Sequence, residues 1–359
     1  MTQPLLSLGL MSGTSLDGVD AALIETDGER VFGHGPALTE AYPSRLRDRL
    51  RGVLGGVGPV AEVEREMTLF HAAMVEALLD KNGIDRQAVA VIGFHGQTIL
   101  HRPDLRRTWQ IGDGALLAER LAIPVVNDFR GDDVAAGGQG APLVPAYHAA
   151  LAGGLERPLA VLNLGGVGNV TWIGDDDTLL AFDTGPGNAL IDDWVSGRAG
   201  LPFDRDGALA AAGTVDEKAV RAFSAHPYFA RRPPKSLDRD DFAALTGQLV
   251  DGLTVADGAA TLTAFTVAAV ALAGRHFPAN PVRWLVCGGG RRNPVIMAAL
   301  RQSLGVPVDP VDRLSWDGDA LEAEAFAFLA VRSLRGLPLT WPGTTGVGRP
   351  LGGGRLHRP

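Results

Sequence analysis

Residues 8–25 read LGLMSGTSLDGVDAALIE. Two apolar runs, 5–10 and 19–24, flank a turn of Ser, Gly, Thr and Asp, which is the pattern of strand, polar turn and strand. Ser12, Gly13, Thr14, Ser15 and Gly18 are small, and most offer a hydroxyl or bare backbone. Such a turn can aim several N–H and O–H donors at one anion, so it is a candidate phosphate clamp.

The rest of the chain is consistent with that start. Its 359 residues suggest two domains. A hydrophobic share of 46% fits an ordinary globular chain with a large core. The 47 glycines cluster in short runs, which suits turns that approach a ligand closely. A net charge of −8 without any Lys/Arg block argues against nucleic acid or an anionic membrane as partner. The single cysteine, Cys287, leaves no internal disulfide and no Cys-rich zinc site, and fits a reducing cytoplasm. No basic segment with a cleavage site opens the chain, so no secretory leader is expected. The longest apolar stretch, 258–274, holds three threonines and is short of the ~20 residues of a membrane span, so a buried Ala-rich helix is expected there.

In order, the opening hairpin is followed by a third strand near 29–33. A helix over 61–80 has Val63, Met67, Phe70, Met74 and Ala77 on one face and Asn82-Gly83 as its stop. Strands at 89–94 and 123–127 end in His95-Gly96-Gln97-Thr98 and Asp128-Phe129-Arg130, where open α/β sheets place ligands. Residues 131–140 are loop-like and mark the domain boundary, giving a first lobe over 1–130 and a second over 131–339. A short helix spans 144–152. The strand at 159–164 then enters Gly165-Gly166 and a second strand through Asn169, an echo of the opening hairpin. Two such hairpins, one per half, suggest a duplicated fold with a nucleotide between the halves. A short strand at 179–182 leads into Asp183-Thr184-Gly185-Pro186-Gly187-Asn188, with Asn188 as cap of the next helix. A long helix over 257–276 has Asp257 as its candidate cap. A strand at 284–287 ends in Gly288-Gly289-Gly290, and Asn293-Pro294 starts another helix in the cap and first positions. The last helix covers 320–335, and the 340–359 tail is either solvated or packed back on the first lobe. Alternating strands and helices give an α/β class with helices on mixed sheets.

The motifs narrow the chemistry. Gly13 and Gly18 are spaced as in a P-loop, but Val19-Asp20 follow instead of Lys and Ser/Thr. No dinucleotide fingerprint follows the first strand, and neither H-E-x-x-H, C-x-x-C nor G-x-S-x-G occurs. A hairpin-based phosphate site remains, with Asp17 and Asp20 able to orient Mg²⁺ through waters; Asp17-Gly18 equally suits a plain tight turn. Asp183 is the best catalytic carboxylate. It follows an apolar strand and lies near a helix N-terminus whose dipole favours its ionised form, and it alternatively serves as a structural cap. Asp192 and Asp193 read as a solvated helix face. His95 can bind a sugar hydroxyl or be a satisfied structural histidine. Arg130 can clamp a carboxylate or pair with a neighbouring Asp. Glu322 starts a helix, where a negative charge is favourable in any case.

Together these residues resemble the anhydro-N-acetylmuramic acid kinases. The resemblance is carried by Gly9-Leu10-Met11-Ser12-Gly13-Thr14-Ser15-Leu16-Asp17-Gly18-Val19-Asp20, by the AAGGQGAPLVP run at 135–145, and by the 94–98, 128–130, 163–171, 182–188, 286–290 and 322–330 segments. It spans nearly the whole chain in order. It implies the acetate and sugar kinase, heat-shock ATPase and actin superfamily: two domains of duplicated actin-like ATPase fold with ATP in the cleft between them. The implied reaction takes ATP, water and 1,6-anhydro-N-acetylmuramic acid to N-acetylmuramic acid 6-phosphate and ADP, in cytoplasmic recycling of cell-wall sugars. Carried over by position, Gly13, Thr14, Ser15, Leu16, Asp17, Gly18, Val19 and Asp20 bind ATP. Gly165, Gly166, Asn169, Gly288, Gly289 and Gly290 do so from the second half, with Mg²⁺ near Asp17 or Asp20. Asp183 is the general base, and His95, Gln97, Arg130 and Glu322 face the substrate. A homodimer is expected. Arg291-Arg292 and the 235–242 segment depart from the family pattern. The rival readings are a kinase of another sugar or acid, an actin- or chaperone-like ATP-binding protein, and a glycosidase using Asp183 and Glu322.

Overall fold

The computed structural model describes residues 3–359. The chain forms two units, one of 1–154 with 320–359 and one of 155–319.

In the first unit, β1 (Leu5–Met11), β2 (Gly18–Thr26) and β3 (Val31–Ala41) form an antiparallel meander. β4 (Val91–Phe94) joins β1 in parallel, and β7 (Val125–Asn127) joins β4 in parallel. Between these last two, β5 (Gln97–Arg102) and β6 (Arg107–Ile111) make a separate two-stranded ribbon, a stretch to which the sequence alone assigns no element. Along β1, Leu8 and Leu10 turn into one core with Leu46, Val63, Met67, Val75, Leu78 and Leu117 from the helices on that face. The alternate residues serve the other face, as strand periodicity requires. There Met11 packs with Ala320 and Ala323, and the Ser7 hydroxyl donates to Ala327 O at 2.9 Å.

The helix Leu321–Leu334 covers that second face. It comes so close that a Cβ on Gly9 would sit 1.8 Å from Ala323 O and one on Gly93 2.0 Å from Phe326 O. The sequence reading places this helix in a lobe of 131–339. The structure assigns 131–154 and 320–339 to the first unit, because the glycine-lined face of β1 and β4 is what buries this apolar helix. The tail also belongs to this unit: β13 (Arg355–His357) pairs antiparallel with β7, and Arg355 Nε lies 2.9 Å from Asp128 Oδ2.

In the second unit, β8 (Leu159–Leu164), β9 (Val167–Ile173) and β10 (Leu179–Pro186) repeat the meander. β11 (Arg283–Cys287) joins β8 in parallel and β12 (Val308–Pro310) joins β11 in parallel. The two sheets run β3-β2-β1-β4-β7 and β10-β9-β8-β11-β12, with the same sequence of antiparallel and parallel pairings. This duplication is what the paired hairpins suggest, and it is the actin-like α/β architecture that the resemblance implies. The helical stretch Val255–His276 is long and apolar enough to cross a membrane by length and composition. Much of it is nevertheless packed in the unit's core, where Ala259, Leu262, Phe265, Ala269 and Val270 meet Leu162, Phe182 and Phe223.

Several local expectations change. β10 continues through Asp183 to Pro186, so Asp183 lies inside a strand and not beyond its end. Asn188 makes no cap bond; its Nδ2 donates to Leu164 O at 2.9 Å and ties the helix start to β8. Thr254, and not Asp257, caps the long helix. Asn293 caps as expected, accepting from Val295 N and Ile296 N.

Candidate active site

In the first unit, the turn between β1 and β2 is held from beneath. Ser12 is buried, and its Oγ donates to Gln97 Oε1 at 2.6 Å and lies 2.8 Å from the Tyr42 hydroxyl. Gln97 Nε2 in turn donates to Gly13 O at 3.0 Å. The amide of Gln97 is therefore used in shaping the turn. Leu16 and Val19 point into the core, so only their backbone can face a ligand. A Cβ on Gly13 would meet Ser15 Oγ at 3.5 Å, an ordinary contact, whereas one on Gly18 would fall 2.3 Å from Glu40 O; Gly18 permits the β2–β3 approach. Asp17 Oδ1 accepts from Ser15 Oγ at 2.8 Å on the exposed side of the turn. Asp20 Oδ1 accepts from Thr39 Oγ1 at 2.6 Å, across the β2–β3 pair.

At the end of β4, His95 is buried and uses both ring nitrogens. Nδ1 lies 2.7 Å from Gly96 O, so it carries the proton, and Nε2 accepts from Arg130 Nε at 3.2 Å and Nη2 at 3.0 Å. Burial, with the Arg130 charge adding to it, holds the imidazole well below its ordinary pKa, so it is neutral. Arg130 Nη1 donates to Gly140 O at 2.6 Å. Burial lowers the guanidinium to about 10, while the charges of Glu322 and then Asp133 act in the opposite sense. His95 thus serves as the seat of Arg130. Asp133, which the sequence reading passes over, fixes the glycine-rich loop: Oδ1 accepts from Gly140 N at 2.6 Å and Oδ2 from Thr345 Oγ1 at 2.6 Å.

In the second unit, four residues form a row across four strands. Asp183 on β10 faces Asn169 on β9, Asn169 faces Asn163 on β8, and Asn163 faces Cys287 on β11. Directly opposed residues project from the same face of a sheet, so this row carries two amides and a carboxylate beside the bare Gly165-Gly166 turn. Asn163 was legible only through this register. The register shifts between Asp183 and Gly185, a bulge that re-aims the strand at the carboxylate.

The Asp183 carboxylate sits in a cradle. Its Oδ2 accepts from Leu237 N at 2.8 Å, its backbone N donates to Lys235 O at 3.1 Å, and its backbone O accepts from the Tyr228 hydroxyl at 2.6 Å. Burial raises its pKa to about 7, against the opposing pull of the Leu237 N–H and the Lys235 charge. The sequence reading expects a helix dipole to favour the ionised form; burial outweighs any such effect.

The glycine triplet borders a cavity of about 400 Å³ lined by Asn188, Asp192, Phe203, Asp204, Arg205, Gly289, Gly290 and Arg292, among others. Gly288, at φ 73°, and Gly290 pass so close to β8 that a Cβ would sit 2.3 Å from Asn163 Oδ1 or 2.6 Å from Leu164 Cβ. A Cβ on Gly289 would meet Asn188 Nδ2 at 3.9 Å, an ordinary contact. Phe203 is 44% exposed, with the Arg205 guanidinium 5.2 Å from its ring centre. Burial, and next the charge of Asp193, push Asp192 up to about 6, so it is more than a solvated helix residue. Arg291 turns away from the cavity, held by Asp312 at 2.8 Å and Asp319 at 2.9 Å, while Arg292 lines it. Among the described residues no cluster of three or more His, Cys, Asp or Glu could hold a metal ion.

A duplicated α/β fold with a bare hairpin turn in each half and a carboxylate of raised pKa beside one of them fits the actin-like ATPase class. The family follows from comparison with known proteins. The family model described as anhydro-N-acetylmuramic acid kinase matches residues 5–357, and the chain belongs to that family. The anhydro-N-acetylmuramic acid kinase of Paramagnetospirillum magneticum is 66% identical over 355 residues, covering 99% of this chain and 100% of that one. The Rhodospirillum rubrum protein of the same name is 61% identical, covering 97% of this chain and 93% of its own. Among solved structures, a ROK family glucokinase from Streptomyces griseus matches 90% of this chain and 99% of its own, with 16% identity and a TM-score of 0.43.

Proposed function

We propose that this protein opens the 1,6-anhydro ring of 1,6-anhydro-N-acetylmuramic acid with water and phosphorylates the freed O6 from ATP. The products are N-acetylmuramic acid 6-phosphate and ADP, in recycling of cell-wall sugars. Family membership supports the substrate. The observation that carries the mechanism is Asp183, whose carboxylate accepts from Leu237 N, whose main chain is held by Lys235 O and the Tyr228 hydroxyl, and whose pKa burial raises to about 7. A group with that pKa is matched to proton abstraction near neutrality.

In the reaction, Asp183 takes a proton from a water that attacks the anomeric carbon. The C1–O6 bond breaks, O6 attacks the γ-phosphorus, and ADP leaves. The 13–20 turn and the Gly165-Gly166 turn supply phosphate donors, with Asn169 beside the base. The cavity at Gly289 and Gly290 takes the adenosine, with Phe203 as a stacking face. Asp17 and Asp20 offer the hard oxygens that Mg²⁺ prefers and would hold it through water, where it would supply charge neutralisation on the phosphates. Arg130, seated on His95, is the partner for the lactyl carboxylate, with the negative charge of Glu322 acting on it and Gln97 acting through the turn. The protein works in the cytoplasm, as a homodimer.

Product analysis in ¹⁸O-labelled water tests this. The expected product carries one ¹⁸O at C1 and none in its phosphate, and requires ATP. An unhydrated sugar phosphate would leave an ordinary kinase, and turnover without ATP a glycosidase.

A further inference from the structure

The Asp183 cradle contains a lysine that the reaction does not use. Lys235 is 5% exposed. Its Nζ donates to Tyr228 O at 3.2 Å and lies 4.5 Å from the Tyr228 ring centre and 5.4 Å from that of Phe182. His276 Nε2 is 3.4 Å away and itself bonds Phe229 O at 2.9 Å. Among the described residues no carboxylate oxygen lies within 4.0 Å of this ammonium. Burying an ammonium on one carbonyl and two aromatic faces is unfavourable compared with an apolar side chain of similar length. Stability alone therefore gives no reason for a lysine here.

Its main chain gives one. Residues 235–237 run along the free edge of β10, the outer strand of its sheet. Lys235 O accepts from Asp183 N, and Leu237 N donates to Asp183 Oδ2. This strap grips the carboxylate, and two side chains tether it. Arg239 Nη2 reaches Asp193 Oδ1 at 2.7 Å, but both partners are more than half exposed, so this tether is weak. Lys235 is the buried tether. Its anchor, Tyr228, also donates its hydroxyl to Asp183 O, so the ammonium, the ring and the carboxylate form one connected assembly.

We propose that Lys235 is a positioning residue for Asp183: its buried ammonium anchors the 235–237 strap, whose main chain aims the carboxylate at the water. The role rests on the reading of Asp183 as base. The charged and titratable groups acting on this assembly are Asp183, Lys235, Arg231, Tyr228, Asp241, His276 and Arg275. Burial lowers Lys235 to about 8, so it stays largely protonated where Asp183 ionises.

The test compares Lys235→Met, Lys235→Arg and Asp183→Asn by steady-state kinetics across pH. With the strap slack, Lys235→Met loses kcat by roughly 10- to 100-fold, the scale of a small misplacement of a reacting group. The acid limb of its kcat/KM profile moves above the wild-type position, because the carboxylate loses both an N–H donor and a nearby positive charge. KM for ATP stays within about twofold, by the same logic of separate sites. Lys235→Arg returns the acid limb toward wild type. If Lys235→Met does not fold, Lys235→Gln takes its place, since it removes the charge and its shorter side chain slackens the anchor on Tyr228 O. An acid limb at the wild-type pH in the folded neutral variant overturns the positioning role. If Asp183→Asn keeps turnover, the base assignment falls and this role with it. If Asp183→Asn is inactive and the neutral variants keep the limb, only the role of Lys235 falls.

Discussion

Asp183→Asn abolishes turnover on the mechanism above, and the same substitution makes the protein more stable in a way that depends on pH. The folded carboxyl keeps its proton up to about 7, whereas an unfolded aspartate releases it near 3.8. Between those values the native state binds more protons, so wild-type stability is full below about 4 and declines as pH rises to about 7. Above that the loss is constant. At about 1.4 kcal/mol per pH unit, the interval from 3.8 to about 7 sets an upper bound of roughly 4 kcal/mol. Asp183 is half-buried, so relaxation and solvent access bring the expected difference nearer about 1–2 kcal/mol. The asparagine carries no charge to desolvate, and its Oδ1 can still accept from Leu237 N. Four of the six tryptophans, Trp172, Trp194, Trp284 and Trp316, lie in the 155–319 unit, so intrinsic fluorescence follows the right part of the molecule. Thermal melts of both proteins from pH 4 to 8.5 should nearly coincide at pH 4. The variant should then gain a few degrees by pH 7.5 and hold that gap above it. Melts that coincide at pH 8, or a gap that narrows as pH rises, would refute burial as the cause of the raised pKa.

Wild-type kcat/KM is expected to fall about tenfold per pH unit below pH ~7, as a single base is protonated; a flat profile between pH 5 and 7 removes Asp183 from that role. Gly93→Ala puts a methyl where Phe326 O stands, 2.0 Å from the ideal Cβ position, and should lower the unfolding free energy of the first unit by about 2–4 kcal/mol in urea; an unchanged midpoint shows that the 321–334 helix can shift. Phe203→Ala should raise KM for ATP several-fold with kcat within about twofold, since it removes ground-state and transition-state binding alike; a change in kcat alone places the adenosine elsewhere. Gln97→Leu removes the acceptor of the Ser12 hydroxyl and the donor to Gly13 O and should lower kcat/KM for ATP about tenfold, the equivalent of roughly 1.4 kcal/mol.

Much of the fold was legible because strands and helices announce themselves by period. The hairpins at 5–26 and 159–173, the helix at 60–82 and the Asn293-Pro294 start all follow from local pattern. What local pattern does not carry is which sheet a helix covers. The 321–334 helix reads as the continuation of the second half, and only the bare faces of Gly9 and Gly93, more than 200 residues upstream, reveal where it belongs. The β5–β6 ribbon was missed because its alternation is short and mostly polar. In the site, Asp183 stood out as a polar residue ending an apolar run. Asn163 became visible only through strand register, and Lys235 only through burial. His95 and Arg130 were singled out separately, yet their chemistry lies in their contact, which spacing along the chain does not encode.

The helix that closes the first unit is made after the whole of the second. On the ribosome, β1 to β7 emerge early but face solvent on the side that Gly9 and Gly93 leave bare. Residues 155–319 are contiguous and have their own core, so they can fold as soon as they are clear of the exit tunnel. The amino-terminal half must wait for residues 321–334. Order of synthesis and order of completion are thus reversed in this chain, and its first-made sheet is the one with the longest exposure to chaperones.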